Sequence, residues 1–127
     1  MSLGFQHIAF NCRDKSAMER FYVKYFAFRR ARVFNPGEPG EFVMLRLGGT
    51  CMEFFQAKAG PADRAGEQKV GYKHAAIAVE DVEKTAARMK ADGVDIDRVI
   101  DCSNVAPGMK VCFFRDPEGN VAELMQG

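Results

Sequence analysis

The sequence of 127 residues contains no tryptophan and only two histidines. Its four cysteines form no Cys-x-x-Cys pair and no zinc-finger spacing, which argues against a thiolate-bound structural metal and against a disulfide framework. We expect reduced thiols that pack as small hydrophobic side chains in a cytoplasmic protein. Each thiol lies in or beside a predicted strand, and the four are Cys12, Cys51, Cys102 and Cys112.

The sequence also lacks long apolar runs and an excess of one charge. No stretch approaches the roughly 20 apolar residues of a membrane helix, and the first residues do not have the pattern of an export signal. Lysine and arginine total 18 against 17 acidic residues, so we expect neither nucleic acid nor a membrane as a partner. The short basic cluster at residues 29–32 is interpreted as the solvated end of a helix.

What the sequence does contain is a pattern of elements that occurs twice. The first half predicts a strand over 4–12, a helix that begins at Asp14 or Ser16 and runs through Phe26, and strands over 42–47 and 50–56. The second predicts a strand over 71–79, a helix from Asp81 that Gly93 ends, a weaker strand over 95–101, and strands over 110–115 and 120–126. Glycine and proline mark residues 58–70 as a linker. They also predict a hairpin connection at Gly48-Gly49 and a type I turn over 116–119.

These elements predict an α+β fold. One helix covers one face of each small sheet, so the other face has to be buried or to enclose a cavity. We expect a single domain over residues 1–127 made of tandem βαβββ modules, about 4–57 and 71–126, that form a cupped mixed sheet around a shared cavity.

Each half carries one histidine in its first strand and one glutamate in its last strand. His7 precedes Glu53 by 46 residues, and His74 precedes Glu123 by 49 residues. Either residue type alone in a strand is usually an ordinary polar group, but a carboxylate within Cys-Met-Glu-Phe-Phe is costly to bury without a cation. Two imidazoles and two carboxylates suit Zn, Ni, Co, Mn or Fe, and we predict that these four residues bind such an ion.

This ligand set predicts a class of chemistry. Four protein ligands leave one or two positions on an octahedral ion, where a substrate carbonyl can bind. A glutamate that detaches from the ion can then remove a proton next to that carbonyl. The reaction favoured is proton transfer through a metal-bound enediolate, with Glu53 or Glu123 as the catalytic base.

The motifs resemble those of the vicinal oxygen chelate superfamily, which includes glyoxalase I (lactoylglutathione lyase), bleomycin-resistance proteins and extradiol dioxygenases. The resemblance covers residues 4–126 and is most specific in His7, in Gly71-x-x-His74-x-x-Ile77-x-Val79, and in Phe-Arg-Asp-Pro-Glu-Gly-Asn-x-x-Glu-Leu over 114–124. It implies the fold of that superfamily and a homodimer. It also implies metal binding by His7, Glu53, His74 and Glu123, with Glu123 favoured over Glu53 as the base.

The resemblance does not extend to the substrate of glyoxalase I. Asn11 and Ala57 occupy the positions at which glyoxalase I has an arginine and an asparagine that hold glutathione. We predict a metal-dependent lyase or isomerase that acts on a small 2-oxo compound or its thiol adduct. The alternative is a non-catalytic binding or sequestration protein of the bleomycin-resistance type, in which a flat aromatic ligand contacts Phe5, Phe55, Tyr72 and Met125.

Two further features bear on the substrate. Three basic residues are candidates for binding an anionic group, with ordinary surface charge as the alternative, and they are Arg13, Lys110 and Arg115. The segment 102–108, which contains Pro107-Gly108, is a candidate loop for covering the site.

Overall fold

The computed structural model describes residues 3–57 and 70–127, and its fold is α+β. The elements of the first half are β1 (His7–Cys12), α1 (Lys15–Phe26), β2 (Arg29–Phe34), β3 (Phe42–Leu47) and β4 (Thr50–Gln56). Those of the second half are β5 (Ala75–Ala78), α2 (Val82–Ala91), β6 (Ile100–Asp101), β7 (Lys110–Arg115) and β8 (Val121–Gln126). The chain divides into two compact units, Met1–Pro61 and Ala62–Gly127.

Both units have the same topology, which confirms the predicted tandem βαβββ modules. The strand order is β1-β4-β3-β2 in the first sheet and β5-β8-β7-β6 in the second. In each sheet the first and last strands are parallel neighbours, and the other pairs are antiparallel. His7 is the first residue of β1 and His74 immediately precedes β5, which is shorter than the predicted strand over 71–79. In both units the strand that begins at or just after the histidine therefore lies beside the strand with the glutamate. Of the predicted linker 58–70, all but Val70 lies outside the described residues.

The interpretation of residues 29–32 as a helix end was wrong, because they belong to strand β2. Helix α1 ends at Phe26, and Ala27 takes a left-handed conformation with φ of 56° that turns the chain into the strand. Strand β2 lies at the edge of the sheet, and its one partner among the described strands is β3. Its arginines lack the apolar alternation that marks a half-buried strand, and charged side chains are common on edge strands.

The strand expected over 95–101 is shorter than predicted. Only Ile100–Asp101 forms a regular strand, and a single bridge joins Ile96 to Phe114 further along β7. Between these points the backbone still follows β7, since Asp97 N donates to Phe113 O at 2.8 Å. The segment keeps its place at the edge of the sheet without a continuous ladder.

The two helices begin at equivalent aspartates. Asp14 accepts a hydrogen bond from Ala17 N, and Asp81 accepts one from Lys84 N, each at 3.0 Å. Such N-caps stabilise a helix by about 1 kcal/mol. Asp14, and not Ser16, is therefore the cap of α1. Gly93, with φ of 84°, follows the end of α2 as predicted, and its N donates to Lys90 O at 3.0 Å.

Each helix buries one apolar face. The buried residues are Met18, Tyr22 and Phe26 in α1 and Val82, Ala86 and Met89 in α2. The ring of Tyr22 lies 5.9 Å from that of Phe54 in β4, so α1 packs on the first sheet. Full burial of such a side chain contributes about 1.5–3 kcal/mol. Neither helix in the described ranges is long and apolar enough to cross a membrane.

The free cysteines follow the expected pattern with one difference. All four are free thiols, and Cys12, Cys51 and Cys112 are buried in the strands. Cys102 follows β6 and is only partly buried. Three thiols are therefore core residues, and the fourth has access to solvent.

Candidate functional site

The first half-site consists of His7 and Glu53 on the face of the first sheet opposite α1. Strand pairing places Ala9 of β1 and Met44 of β3 on either side of Glu53. Glu53 is buried, with 8% of its surface exposed, whereas the His7 side chain is 42% exposed. The His7 Nε2 atom lies 3.5 Å from Glu53 Oε1. A carboxylate and an imidazole thus meet at the surface of the sheet.

Gln6 orients the imidazole of His7. Its Nε2 donates to Cys51 Sγ at 3.9 Å, and its Oε1 lies 2.6 Å from His7 Nδ1. Because an amide oxygen only accepts, His7 Nδ1 donates to Gln6 Oε1, and the other ring nitrogen, Nε2, points toward Glu53. Metal-binding histidines are commonly oriented by a partner on the other ring nitrogen. The sequence analysis did not identify Gln6, because the residue before a histidine is not a signal by itself.

The second half-site repeats this arrangement with His74 and Glu123. The His74 Nε2 atom lies 3.5 Å from Glu123 Oε1, and Glu123 is also 8% exposed. Ala76 of β5 and Phe113 of β7 lie directly beside Glu123. The ring of Phe113 meets the imidazole edge to face, with centroids 5.3 Å apart. The imidazole of His74 is thus contacted by the ring of Phe113, whereas the imidazole of His7 is contacted by the amide of Gln6.

Two equivalent glutamines form hydrogen bonds between the strands that carry Glu53 and Glu123 and the first residues of the helices. Gln126 Oε1 accepts from Val82 N at 2.8 Å, and Gln56 Oε1 accepts from Lys15 N at 3.3 Å. Gln56 Nε2 also donates to the carbonyl of Arg13. Each glutamine is three residues after a half-site glutamate, so it lies on the opposite face of the strand. The repeated Glu-x-x-Gln was visible in the sequence, but its capping role depends on the parallel pairing.

A turn sets the start of β8. Asp116 is buried and accepts from the backbone N of Glu118 and of Asn120, each at 3.0 Å. Gly119 N donates to Asp116 O at 2.9 Å, which confirms the predicted turn over 116–119. This turn fixes where β8 begins and hence the register that places Glu123 beside Ala76.

The donor atoms of each half-site are compatible with one shared cation. Two ligands about 2.0–2.2 Å from an ion are about 3–3.5 Å apart when their angle at the ion is near 90–110°. In the first half-site the imidazole Nε2 faces a buried carboxylate oxygen, and a cation between the two would stabilise the buried carboxylate. The structure brings together His7 with Glu53 and His74 with Glu123. Among the described residues it shows no cluster of three or more metal-ligand side chains.

Two of the three basic residues that were candidates for binding an anionic group form ion pairs with acidic side chains. Arg115 Nη1 lies 2.8 Å from Asp97 Oδ1, and Lys110 Nζ lies 3.5 Å from Glu83 Oε2. The hydrogen bond that Arg115 donates to Asp97 raises the pKa of Arg115 above its ordinary value. These two cations are paired within their own unit, which weakens the case for either as a ligand for a substrate anion.

Aromatic side chains cover part of the face of the first sheet that points away from α1, called the open face below. The rings of Phe34 and Phe42 stack at 4.5 Å and 7°, and those of Phe42 and Phe55 stack at 4.1 Å and 19°. All three rings are partly exposed. Of the predicted aromatic-ligand contacts, Phe55 belongs to this stack, while Phe5 and Tyr72 are 68% and 86% exposed.

The comparisons with known proteins agree with this architecture. The family model for the Glyoxalase/Bleomycin resistance protein/Dioxygenase superfamily matches residues 4–124. The chain belongs to this superfamily. No curated protein matches the sequence significantly. The resemblance drawn from the two histidine strands and the Asp-Pro-Glu-Gly turn is therefore confirmed at the level of the superfamily.

Solved structures of the superfamily superpose over nearly the whole chain. A glyoxalase family protein from Enterococcus faecalis has 28% identity, a TM-score of 0.76 and 96% of each chain covered. A lactoylglutathione lyase from Agrobacterium tumefaciens has 23% identity and a TM-score of 0.69, with 98% of this chain and 93% of that chain covered. A variant of the fosfomycin resistance protein FosX from Listeria monocytogenes, complexed with Mn(II) and 1S,2S-dihydroxypropylphosphonic acid, has 18% identity and a TM-score of 0.78, with 100% and 94% covered.

Proposed function

We propose that the protein is a metal-dependent lyase or isomerase that transfers a proton next to the carbonyl of a small 2-oxo compound or its thiol adduct. The observation that carries this proposal is the pair of matching half-sites, each a buried glutamate with a histidine Nε2 at 3.5 Å. The FosX structure that shares this fold contains Mn(II), which supports a divalent ion in this chain as well.

The proposed ligands are His7, Glu53, His74 and Glu123. Each half-site supplies one neutral nitrogen donor and one carboxylate, so a complete site requires the two half-sites to act together. The chemistry that a divalent ion supplies at such a set is Lewis-acid polarisation of a carbonyl oxygen. The donors suit Zn, Ni, Co, Mn or Fe, and the absence of thiolate ligands argues against a structural zinc site.

The chain itself supplies the base. A carboxylate within hydrogen-bond reach of a bound substrate can accept the proton from the carbon next to its carbonyl. Glu53 and Glu123 are equally buried, and we retain Glu123 as the base that accepts the substrate proton. His7 and His74 hold the site geometry, and the alanine beside each glutamate leaves room for a reacting carbon near the carboxylate.

Measurement of metal content and turnover in matched variants tests this proposal. Purified protein offered Ni, Co, Zn, Mn or Fe is expected to bind about one ion per site. Glu123→Gln keeps an oxygen donor but removes the base, so it is expected to retain the ion and lower kcat by about 10²–10⁴-fold. Glu53→Gln serves as the matched control and is expected to have the smaller effect on kcat. Failure of every divalent ion to bind would overturn the proposal.

The substrate is tested with a panel, because the residues that hold glutathione in glyoxalase I are absent at Asn11 and Ala57. The panel comprises methylglyoxal with glutathione, methylglyoxal with other thiols, and epimers of acyl-CoA thioesters. We expect conversion without a preference for glutathione over other thiols. A strong preference for glutathione would contradict the substrate expectation but would leave the proton-transfer chemistry intact.

The half-sites combine either within one chain or across a homodimer, and cross-complementation separates the two arrangements. One variant carries His7→Ala with Glu53→Ala, and the other carries His74→Ala with Glu123→Ala. If each site uses half-sites from two subunits, a randomly reassociated mixture of the two inactive variants regains about a quarter of wild-type activity. If each site lies within one chain, the mixture remains inactive. Light scattering of the wild type establishes whether a dimer exists.

A second candidate function is the sequestration of an apolar ring compound without turnover. The partly exposed stack of Phe34, Phe42 and Phe55 favours it, since stacked rings at a surface bind flat molecules well. Micromolar binding of a ring compound that Phe42→Ala abolishes, together with no turnover on the substrate panel, would favour this candidate.

A further inference from the structure

Three arginines of the first unit lie on or near the open face that carries His7 and Glu53. Strand pairing places Arg29 of β2 directly opposite Arg46 of β3, and Arg46 in turn opposite Cys51 of β4. Cys51 is paired with His7. One row across the sheet therefore runs from two arginines to the half-site histidine. The next row runs from Arg32 through Met44 and Glu53 to Ala9.

A bulge in β2 brings about this arrangement. Arg30 pairs with Leu45 and Arg32 pairs with Met44, so Ala31 is an extra residue in the strand. Arg30 faces the helix, where it forms two bonds to Glu19 of 2.6 and 2.8 Å. Arg32 returns to the open face, where its guanidinium lies 4.4 Å from the ring of Phe34.

Arg29 and Arg46 differ from Arg30 in having no acidic partner in the described part of the chain. Both are exposed, and directly opposite residues on neighbouring strands have Cβ atoms only about 4.5–5.5 Å apart. Like charges in that position repel each other. Two arginines at directly opposite strand positions, without an acidic partner among the described residues, are suited to bind an anion, since each offers several donors in a planar fork.

A surface depression lies beside the same two residues. Its volume is about 570 Å³, and Arg29, Arg30 and Arg46 line it together with Leu47 and Gly48 at the hairpin turn. Two strand spacings separate Arg46 from His7, which is about 10 Å between their Cα atoms. Neither His7 nor Glu53 lines this depression, but an arginine side chain spans several ångströms, so a molecule held by Arg46 on the side toward β4 can extend to the half-site.

We propose that Arg29 and Arg46 bind an anionic group of the substrate, so that the site takes carboxylate- or phosphonate-bearing carbonyl compounds whose anion lies away from the reacting carbon. This proposal rests on the proposed function, because it assigns a substrate class to the same site. The stacked phenyl rings two rows away favour a substrate with an apolar or aromatic body. The two arginines act as specificity determinants and do not touch the reacting atoms.

The test compares two hydroxamates on protein loaded with Mn(II). Benzohydroxamate chelates a metal through its hydroxamate group, and 4-carboxybenzohydroxamate adds a carboxylate at the far end of the ring. By calorimetry, the wild type is expected to bind the carboxylate compound about tenfold more tightly or better. The double variant Arg29→Gln with Arg46→Gln is expected to lose this preference and to bind benzohydroxamate unchanged. Arg20→Gln, an exposed arginine on α1, is the matched control and is expected to keep the preference.

A second titration separates failure of this inference from failure of the metal site. Phenylphosphonate, which lacks the hydroxamate chelating group, is titrated into metal-free protein, and its binding is expected to weaken in the double variant but not in Arg20→Gln. Equal affinity of wild type and double variant for phenylphosphonate would overturn the anion site whether or not any metal binds. Equal affinity of the wild type for the two hydroxamates would overturn the link to the half-site. Tight oligonucleotide binding that depends on the two arginines would instead assign the patch to nucleic acid.

Discussion

Ala76 lies directly beside Glu123 in the parallel pair of β5 and β8, so the side chain next to this carboxylate on the neighbouring strand is a single methyl group. Ala9 has the same position beside Glu53 in the other unit. Both alanines are exposed, so their strands do not need the small side chain for packing. The free volume above each alanine is therefore available to whatever the glutamate and histidine bind.

Filling this volume is expected to weaken metal binding without loss of the fold. Ala76→Leu places three extra carbon atoms beside Glu123 and should lower metal affinity by about tenfold or more, because ligand groups displaced by less than an ångström lose their geometry. Metal titration followed by mass spectrometry measures the effect. Ala78→Leu, two residues further along β5 and opposite Met125, is the matched control and should bind metal as the wild type does. Equal affinities of the two variants would contradict the expectation.

Gln6 is expected to matter for metal affinity although it is not a ligand. Gln6→Leu removes the oxygen that lies 2.6 Å from His7 Nδ1, so the imidazole loses both its orientation and its tautomer preference. Loss of such a partner typically weakens metal binding by about 10–100-fold. Lys73→Leu changes the residue that precedes the other histidine, and should have little effect. If the two substitutions weaken binding alike, the role assigned to Gln6 is wrong.

The thiols are expected to differ in reactivity. Burial, and then the charge of Asp97, raise the pKa of the Cys112 thiol, which keeps this group protonated and unreactive near neutral pH. Cys12 and Cys51 are buried as well, whereas Cys102 is partly exposed. A disulfide reagent should therefore modify one thiol rapidly in the folded protein and all four in denaturant. Cys102→Ser should abolish the rapid phase, and its persistence would show that another cysteine is accessible.

The ion pair between Lys15 and Glu41 predicts a stability difference that depends on pH. The Nζ–Oε2 distance is 2.8 Å, and the hydrogen bond from Lys15, followed by that from Gly37 N, lowers the pKa of Glu41 below its ordinary value of 4.5. A lowered pKa in the folded state contributes stability above the unfolded-state value, and this contribution is lost as the pH falls through the folded-state value.

The melting temperature of Glu41→Gln should therefore lie below that of the wild type at pH 7, and the two should converge as the solution is acidified below about pH 4.5. Lys15→Gln should lower the melting temperature at pH 7 as well. Because both substitutions remove the same ion pair, the double variant should lose no more stability than the loss of that one interaction accounts for. A difference between wild type and Glu41→Gln that stays constant down to pH 3 would contradict this assignment.

Much of the fold was accessible from the sequence because the apolar periodicity and the turn residues agree with each other. The N-cap aspartates, the Gly48-Gly49 hairpin and the turn at 116–119 all form as predicted. Strand β2 was missed because its arginines have no apolar alternation, and only pairing with β3 makes it a strand. Local sequence does not encode this pairing.

Some features of the candidate site could likewise be predicted from the sequence, and others could not. The residue types and their spacing identified His7 with Glu53 and His74 with Glu123, and the parallel pairing of first and last strands gives each pair its 3.5 Å distance. The four-ligand set remains a prediction. Gln6, Gln126 and Arg46 were not identified, because their roles depend on which side chains stand opposite one another in the sheet, and long-range contacts determine this register.

Ala31, the extra residue in β2, bears on which changes in strand length this fold tolerates. If Ala31 were deleted, Arg30 would still pair with Leu45 and Arg29 with Arg46, while residues 32–34 kept their partners in β3. An edge strand tolerates such a change, since only one neighbour has to accommodate it. The length of this strand can therefore change through the gain or loss of one codon, with the arginine pair and every residue of the two half-sites left in place.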